Sequence, residues 1–267
     1  MLDVIHHDTH LVAINKPSGL LVHRSLIDRH ETRFAIQMTR DQIGQKVYPV
    51  HRLDKPTSGV LLFALDSETA RLLTEQFTAG QVRKTYLAIV RGHTVESGCI
   101  DHPLREELDA LADANATQDK PAQPAVTHYQ RLLAFELPFA VDRYPSSRYS
   151  LVELQPKTGR KHQLRRHMKH VSHHLLGDTT HGNGKHNQFF RQQFASQRLL
   201  LHAARLQCIH PHSGMPLILD APLPADFAQV VRLLLPFQCE AINTTTPRGS
   251  NGKEFIAHLA PDAGSSG

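Results

Sequence analysis

The stretch from Val47 to Ala64, Val-Tyr-Pro-Val-His-Arg-Leu-Asp-Lys-Pro-Thr-Ser-Gly-Val-Leu-Leu-Phe-Ala, restricts the possible folds of this chain more than any other segment. Its last part, Val60 to Ala64, is an unbroken apolar run, the pattern of a buried strand. The turn formers Asp54, Pro56, Ser58 and Gly59 stand directly before it, so the strand is entered through a loop that carries a guanidinium, Arg52, and a carboxylate, Asp54. Charged chemistry is thereby held at a strand edge. Turn chemistry alone would make Asp54 no more than a turn cap, and reading it as a site residue depends on the whole string.

At 267 residues and 40% apolar composition the chain can bury a proper core. Lysine and arginine exceed aspartate and glutamate by 30 − 25 = 5, a surplus that fits a polyanionic partner. The three cysteines, Cys99, Cys208 and Cys239, are odd in number and far apart, which suggests neither a disulfide framework nor a cysteine-rich zinc site and fits a reducing cytoplasm. No apolar stretch approaches the roughly 18 residues of a membrane span, and the start of the chain lacks the regions of a signal peptide; a soluble, cytoplasmic protein is expected. Twenty histidines include a group at 162, 167, 170, 173, 174, 181 and 186, but no H-E-x-x-H or equivalent pair occurs among them, so no metal is expected. The imidazoles read as polar surface groups able to stack on or hydrogen-bond to a ligand, or as solvated residues.

Along the chain, alternation predicts a hairpin over 2–6 and 10–14, and spacing predicts helices over 33–43 and from Asp66 or Ser67 to Ala79, with Gly80 as stop. A central strand follows over 82–92, then a polar excursion over 103–124, then strands over 125–133 and 148–154. A helix starting near Arg160 would set Leu164, Met168 and Val171 against the core and turn His162, Arg165, Arg166 and Lys169 outward as a cationic face. Residues 176–185 read as a Gly-rich loop without phosphate-loop spacing, 198–203 as a strand, and the segment after Asp220 as a short helix to about Leu235. One domain over 1–236 is expected, with no appended binding module before it and a polar, frayed tail over 237–267.

His51-Arg52-Leu53-Asp54 followed by Thr57-Ser58-Gly59 resembles the HRLD-x-x-TSG signature of the RluA-type pseudouridine synthases, which isomerise uridine in structured RNA. Other segments fit the same family. Asn15 to His23 matches N-K-P-x-G-x-x-V-H, Lys84 to Gly92 matches K-x-Y-x-A-x-V-x-G, Thr158 to His167 matches T-G-R-x-H-Q-L-R-x-H, and Arg198 to Ala203 matches R-L-x-L-H-A. Leu176 to Gly182 resembles L-G-D-x-x-Y-G, with His181 in place of the tyrosine.

The resemblance implies an α+β catalytic domain, a mixed and largely antiparallel sheet with flanking helices and a basic cleft. It assigns catalysis to Asp54, to Tyr86 as the stacking platform for the target base, and to Arg165 as the cationic partner of Asp54. It makes Arg52 the group that replaces an extruded base. Contacts to RNA are expected from Lys16, Arg160, His162, Arg166, Lys169 and Lys185. The segment over 177–191 is most similar to a tRNA-modifying branch, which implies tRNA as substrate and uridine 65 near the T-stem as target. Ribosomal RNA modification by the same chemistry and RNA binding without turnover are the alternatives. No cofactor is implied, and a monomer is expected. Whether Asp54 attacks C1′, attacks C6 or abstracts the 2′ proton stays open.

Overall fold

In the computed structural model, which describes residues 1–24, 30–106 and 121–239, the chain opens with the hairpin β1 (Asp3–His7) and β2 (Leu11–Lys16). Helix α1 (Ala35–Ile43), the short β3 (Tyr48–Pro49), β4 (Ser58–Ala64), α2 (Ser67–Thr78) and β5 (Arg83–Arg91) follow. Then come β6 (Ser97–Asp101), β7 (Val126–Leu137), β8 (Ser147–Pro156), α3 (Gln163–His170) and α4 (Gly184–Phe194). The described chain closes with β9 (Leu201–Ile209), β10 (Pro216–Asp220), α5 (Ala225–Leu234) and a 3₁₀ turn (Leu235–Phe237). Among the described residues the strands form one sheet in the order β1-β2-β4-β9-β5-β8-β7-β6, with β3 added to β4 and β10 to β9. Only the β4–β9 pairing is parallel, so the sheet is mixed and mainly antiparallel, as the resemblance implies.

The apolar run has no polar face because β4 is covered on both sides. Leu61 and Phe63 pack with Val12, Ile14 and Ala35, while Val60, Leu62 and Ala64 pack with Leu73 of α2. Asp66 is the residue that starts α2: its carboxylate accepts from the Thr69 N–H at 2.8 Å and from the Thr69 hydroxyl at 2.7 Å. An N-cap of this kind stabilises a helix by about 1 kcal/mol. Asp66→Ala is therefore expected to lower unfolding stability by about that amount, measured as a shift of the urea midpoint, with no change in activity.

Two of the recurring strings meet at the β4–β9 junction. Gly59 has φ 116 and pairs with Ala203; a Cβ there would lie 2.1 Å from the Ala203 carbonyl oxygen, so only glycine lets the two backbones approach. Beside it the buried Ser58 hydroxyl meets His202 Nδ1 at 2.8 Å and the Arg198 guanidinium, and Arg198 continues to Asp226 of α5 at 3.0 Å. Ser-Gly and Arg-Leu-x-Leu-His-Ala thus form one joint, which fixes the strand that Asp54 precedes.

Several elements differ from what the spacing predicts. Strands β3, β6 and β10 and helix α4 are additional, and α3 begins at Gln163 rather than near Arg160. Helix α4 lies behind glycines that read as loop: Asn183 caps it, accepting from the Lys185 N–H at 3.1 Å, and Phe190 packs against Tyr149 and the apolar face of α5. The ends of the polar excursion are tied together by Leu104 and Gln123, while 107–120 lie outside the described residues. The tail does not fray from 237: Phe237 packs on the core, and the Cys239 N–H donates to the Ala134 carbonyl at 3.1 Å. The rest of it, 240–267, lies outside the described residues. Among the described residues no helix is long and apolar enough to cross a membrane.

Candidate active site

The loop before β4 is braced from the end of β2. Asp54 accepts the Thr57 N–H through its carbonyl at 3.0 Å, the Gly19 N–H donates to the Lys55 carbonyl at 2.8 Å, and the Ser18 hydroxyl donates to the Pro56 carbonyl at 2.7 Å. Lys16 completes the brace. Its ammonium donates to the carbonyls of Pro17, Leu20 and Lys55 at 2.9, 2.8 and 3.2 Å, and the residue is fully enclosed. Burial lowers its pKa to about 7, against the opposing pull of the Asp54 charge. This corrects the expectation that Lys16 contacts RNA: its three donors are all committed inside the protein.

The Asp54 carboxylate then meets two groups from the α3 region. Arg165 Nη1 lies 3.3 Å from its Oδ2, and His162 Nε2 lies 3.9 Å from the same oxygen. Arg165 does not belong to an outward cationic face. It is 4% exposed, because a second carboxylate, Asp178, takes its guanidinium in a two-pronged pair: Nε to Oδ2 at 2.7 Å and Nη2 to Oδ1 at 2.8 Å. A buried guanidinium needs such compensation. Burial by itself would lower the Arg165 pKa, but Asp178 and Asp54 raise it above the ordinary value. Burial would likewise raise Asp178, yet Arg165 and the N–H groups of His181 and Thr180 hold it below the ordinary value. Arg165 is thus a permanently charged, pre-aimed donor facing Asp54.

Asp178 is the residue that sequence reasoning left without a role. The available signal was its place in the Leu-Gly-Asp string, a buried type of surrounding for a lone carboxylate. A buried Asp is rarely unpaired.

The segment that carries Arg165 is itself locked to the sheet. Gln163 donates to the Val126 carbonyl and the Thr127 hydroxyl, each at 3.0 Å, and accepts from the Thr158 hydroxyl at 2.7 Å. The His167 ring bridges Thr127 Oγ1 and the His102 carbonyl at 2.9 and 3.0 Å. Leu164 and Met168 pack on Ala88, Val90, Val152 and Leu154.

These elements enclose a cleft of about 840 Å³ lined by Asp54, Tyr86 and Arg165, the three residues named as catalytic from the resemblance. Tyr86 is half-buried on β5, and burial, with the Asp54 charge second, raises the pKa of its phenol, so the hydroxyl stays protonated and the ring neutral. Arg52, Arg160 and His162 also line the cleft, together with Lys84, Lys157 and Lys161, which had not been nominated, and the acidic Glu106. Lys84 shares a strand with Tyr86 two residues away, so both project on one side; burial pushes its pKa down.

The remaining RNA-contact candidates lie elsewhere. Arg166 donates to the Arg105 carbonyl at 2.8 Å, Lys169 is exposed outside the cleft lining, and Lys185 pairs with Asp142 at 2.8 Å. Several histidines are not free surface groups: the half-buried His51, which accepts the Leu62 N–H, and the buried His186 and His202 are pushed by burial to about 3, 4 and 4. Among the described residues, His10, Asp66 and His212 bring ligand-type atoms within 4.8 Å of one another. The His10 and His212 rings are stacked at 3.7 Å with only 16° between planes, so their in-plane lone pairs run side by side instead of converging on one ion. This group sits at the opposite end of β4 from Asp54.

What such a cleft can do is present the Asp54 carboxylate, an aromatic face and several cations to a planar, polyanion-linked ligand. Comparison with known proteins points the same way. Residues 10–170 match the family model described as RNA pseudouridylate synthase. The tRNA pseudouridine synthase C of Vibrio cholerae is 55% identical over 223 residues, spanning 84% of this chain and 91% of that protein. The protein of the same name from Pectobacterium carotovorum is 52% identical over 261 residues, spanning 96% and 69%. Among solved structures, human RNA pseudouridylate synthase domain-containing 4 superposes with a TM-score of 0.64 at 30% identity, over 87% of this chain and 92% of that one.

Proposed function

We propose that this chain, which belongs to the RNA pseudouridylate synthase family and is a pseudouridine synthase, acts on tRNA and isomerises uridine 65 near the T-stem. The observation that carries the reading is the Asp54 carboxylate held 3.3 Å from a buried, doubly anchored Arg165 in a cleft that Tyr86 also lines. The similarity to proteins named tRNA pseudouridine synthase C supports tRNA over other RNAs.

The isomerisation breaks the bond from ribose C1′ to N1, turns the base and remakes the link through C5, with no net change in oxidation state. Asp54 acts at the nucleotide through its carboxylate. Closing the cleft over RNA would remove its water and favour the neutral acid; the guanidinium of Arg165, already desolvated and fixed by Asp178, offsets that loss. Because Arg165 is held before substrate arrives, little of its attraction is spent on reorganisation.

A stem uridine must leave its stack, at a cost of a few kcal/mol. Stacking on the Tyr86 ring returns about 1–3 kcal/mol, which roughly balances extrusion. The exposed Arg52, Arg160 and Lys157, with the half-buried Lys161, supply backbone attraction at the cleft, and Arg52 fills the gap left in the RNA helix. Incubating the protein with separate tRNA and ribosomal RNA transcripts and mapping pseudouridine tests this. Conversion at position 65 of tRNA alone is expected. Conversion of ribosomal RNA, or of tRNA at another position, would overturn the assignment of the target while leaving the chemistry.

A further inference from the structure

We infer that His162 is a positioning residue for Asp54, and that His181 holds it in that role through a direct imidazole–imidazole hydrogen bond. The inference rests on Asp54 carrying the chemistry of the proposed tRNA isomerisation. Three observations lead to it. The His162 side chain is 20% exposed and points its Nε2 at Asp54 Oδ2, 3.9 Å away, the oxygen that Arg165 also addresses. Its other nitrogen, Nδ1, lies 2.9 Å from Nε2 of His181, and His181 is 6% exposed. Finally, His162 stands immediately before α3 with φ 54, a left-handed backbone that disfavours a residue with a side chain.

The hydrogen-bond roles follow from these contacts. Turning an N–H toward the carboxylate requires the proton on His162 Nε2, so Nδ1 is an acceptor and His181 Nε2 must donate to it. His181 therefore selects both the tautomer and the orientation of the His162 ring. The His181 backbone N–H donates to Asp178 Oδ1 at 2.9 Å, and that carboxylate also grips Arg165. One buried aspartate thus places both groups that flank Asp54, one directly and one through a pair of rings. At 3.9 Å the His162 contact is still open, and such contacts shorten when substrate closes the site. The strained backbone at 162 is consistent with a side chain retained for its position and not for folding.

The test separates folding, binding and turnover. Pseudouridine formation on the tRNA transcript and thermal unfolding are measured for wild type, His162→Gly, His162→Gln, His181→Phe and the double variant His162→Gly with His181→Phe. His162→Gly is expected to lower kcat about a hundredfold with KM for tRNA unchanged, and to melt close to wild type, because the relief of the left-handed backbone by glycine offsets the hydrogen bond lost to His181. His162→Gln keeps a donor that reaches toward Asp54 and should recover part of the loss. His181→Phe should lower kcat less, and add nothing in the double variant, because it acts through His162. Unchanged kcat, a raised KM with unchanged kcat, additive losses, or loss of stability in step with activity would each overturn the inference. Wild-type protein that forms no pseudouridine in any transcript would overturn the underlying reading, and the inference with it; active wild type with unaffected variants overturns the inference alone.

Discussion

Asp54→Asn is expected to reduce pseudouridine formation by roughly 10⁴-fold or more while leaving tRNA binding and thermal stability close to wild type. The amide keeps the shape of the carboxylate and removes the negative charge that the proposed chemistry requires. Folding should be insensitive, because Arg165 keeps its two-pronged pair with Asp178 when Asp54 is neutralised. Asp54 is also 23% exposed on its side chain, so no buried group is orphaned by the change. A filter-binding titration beside a single-turnover assay would measure both quantities. Loss of binding in parallel with activity would make Asp54 an RNA-contact residue, and retention of more than a small residue of turnover would remove it from the chemistry.

The second large effect is expected from Arg165→Met, and it is two effects at once. The side chain is 4% exposed and its main partner Asp178 is 2% exposed, so the variant leaves a buried carboxylate without its cation. Breaking a buried pair in this way typically costs about 3–5 kcal/mol, which should appear as a large fall in the urea midpoint. The sign of the pH dependence identifies the cause. In wild type the Asp178 carboxyl lies below its ordinary value of 3.8, so its contribution is fully present above that value and is lost as pH falls through the lowered one. In the variant, burial without the guanidinium raises that carboxyl instead, so its stability deficit should shrink as pH is lowered toward the raised value. Arg165→Met combined with Asp178→Asn, whose amide oxygen can still accept the Thr180 and His181 N–H groups, should restore most of the stability and none of the activity, because Asp54 still lacks its facing cation. Recovery of turnover in that double variant would show that Arg165 serves the fold alone.

The legible parts of the protein were those governed by short-range rules. Val60 to Ala64 reads as a buried strand because an unbroken apolar run has no other stable place, and β4 is covered on both faces. Asp66 reads as a helix start because its carboxylate can reach an N–H three residues on, and it does. The cleft was half legible. Motif strings pointed to Asp54, Tyr86 and Arg165, and the structure brings these three to one cleft. Helical periodicity, however, turned Arg165 outward together with Arg166 and Lys169, because charge ordinarily prefers water. Lys16 likewise read as an RNA contact, yet the three carbonyls that hold it come from a turn and from a loop near residue 55, which no local pattern announces.

From its residues alone the chain already specified one buried apolar strand and a turn that presents a carboxylate, and its motif strings carried the resemblance that implies a mixed sheet and the chemistry that uses that carboxylate. Which charges are buried, and against what, was decided only when the chain closed on itself. Asp54 and Arg165 are separated by 111 positions, and Asp178 comes to Arg165 through a loop beyond α3. The physical reason is that backbone periodicity is set by neighbours a few bonds away, whereas the free energy of a charge depends on how much water its surroundings exclude and which counter-charge they bring. Those two quantities exist only in the folded molecule.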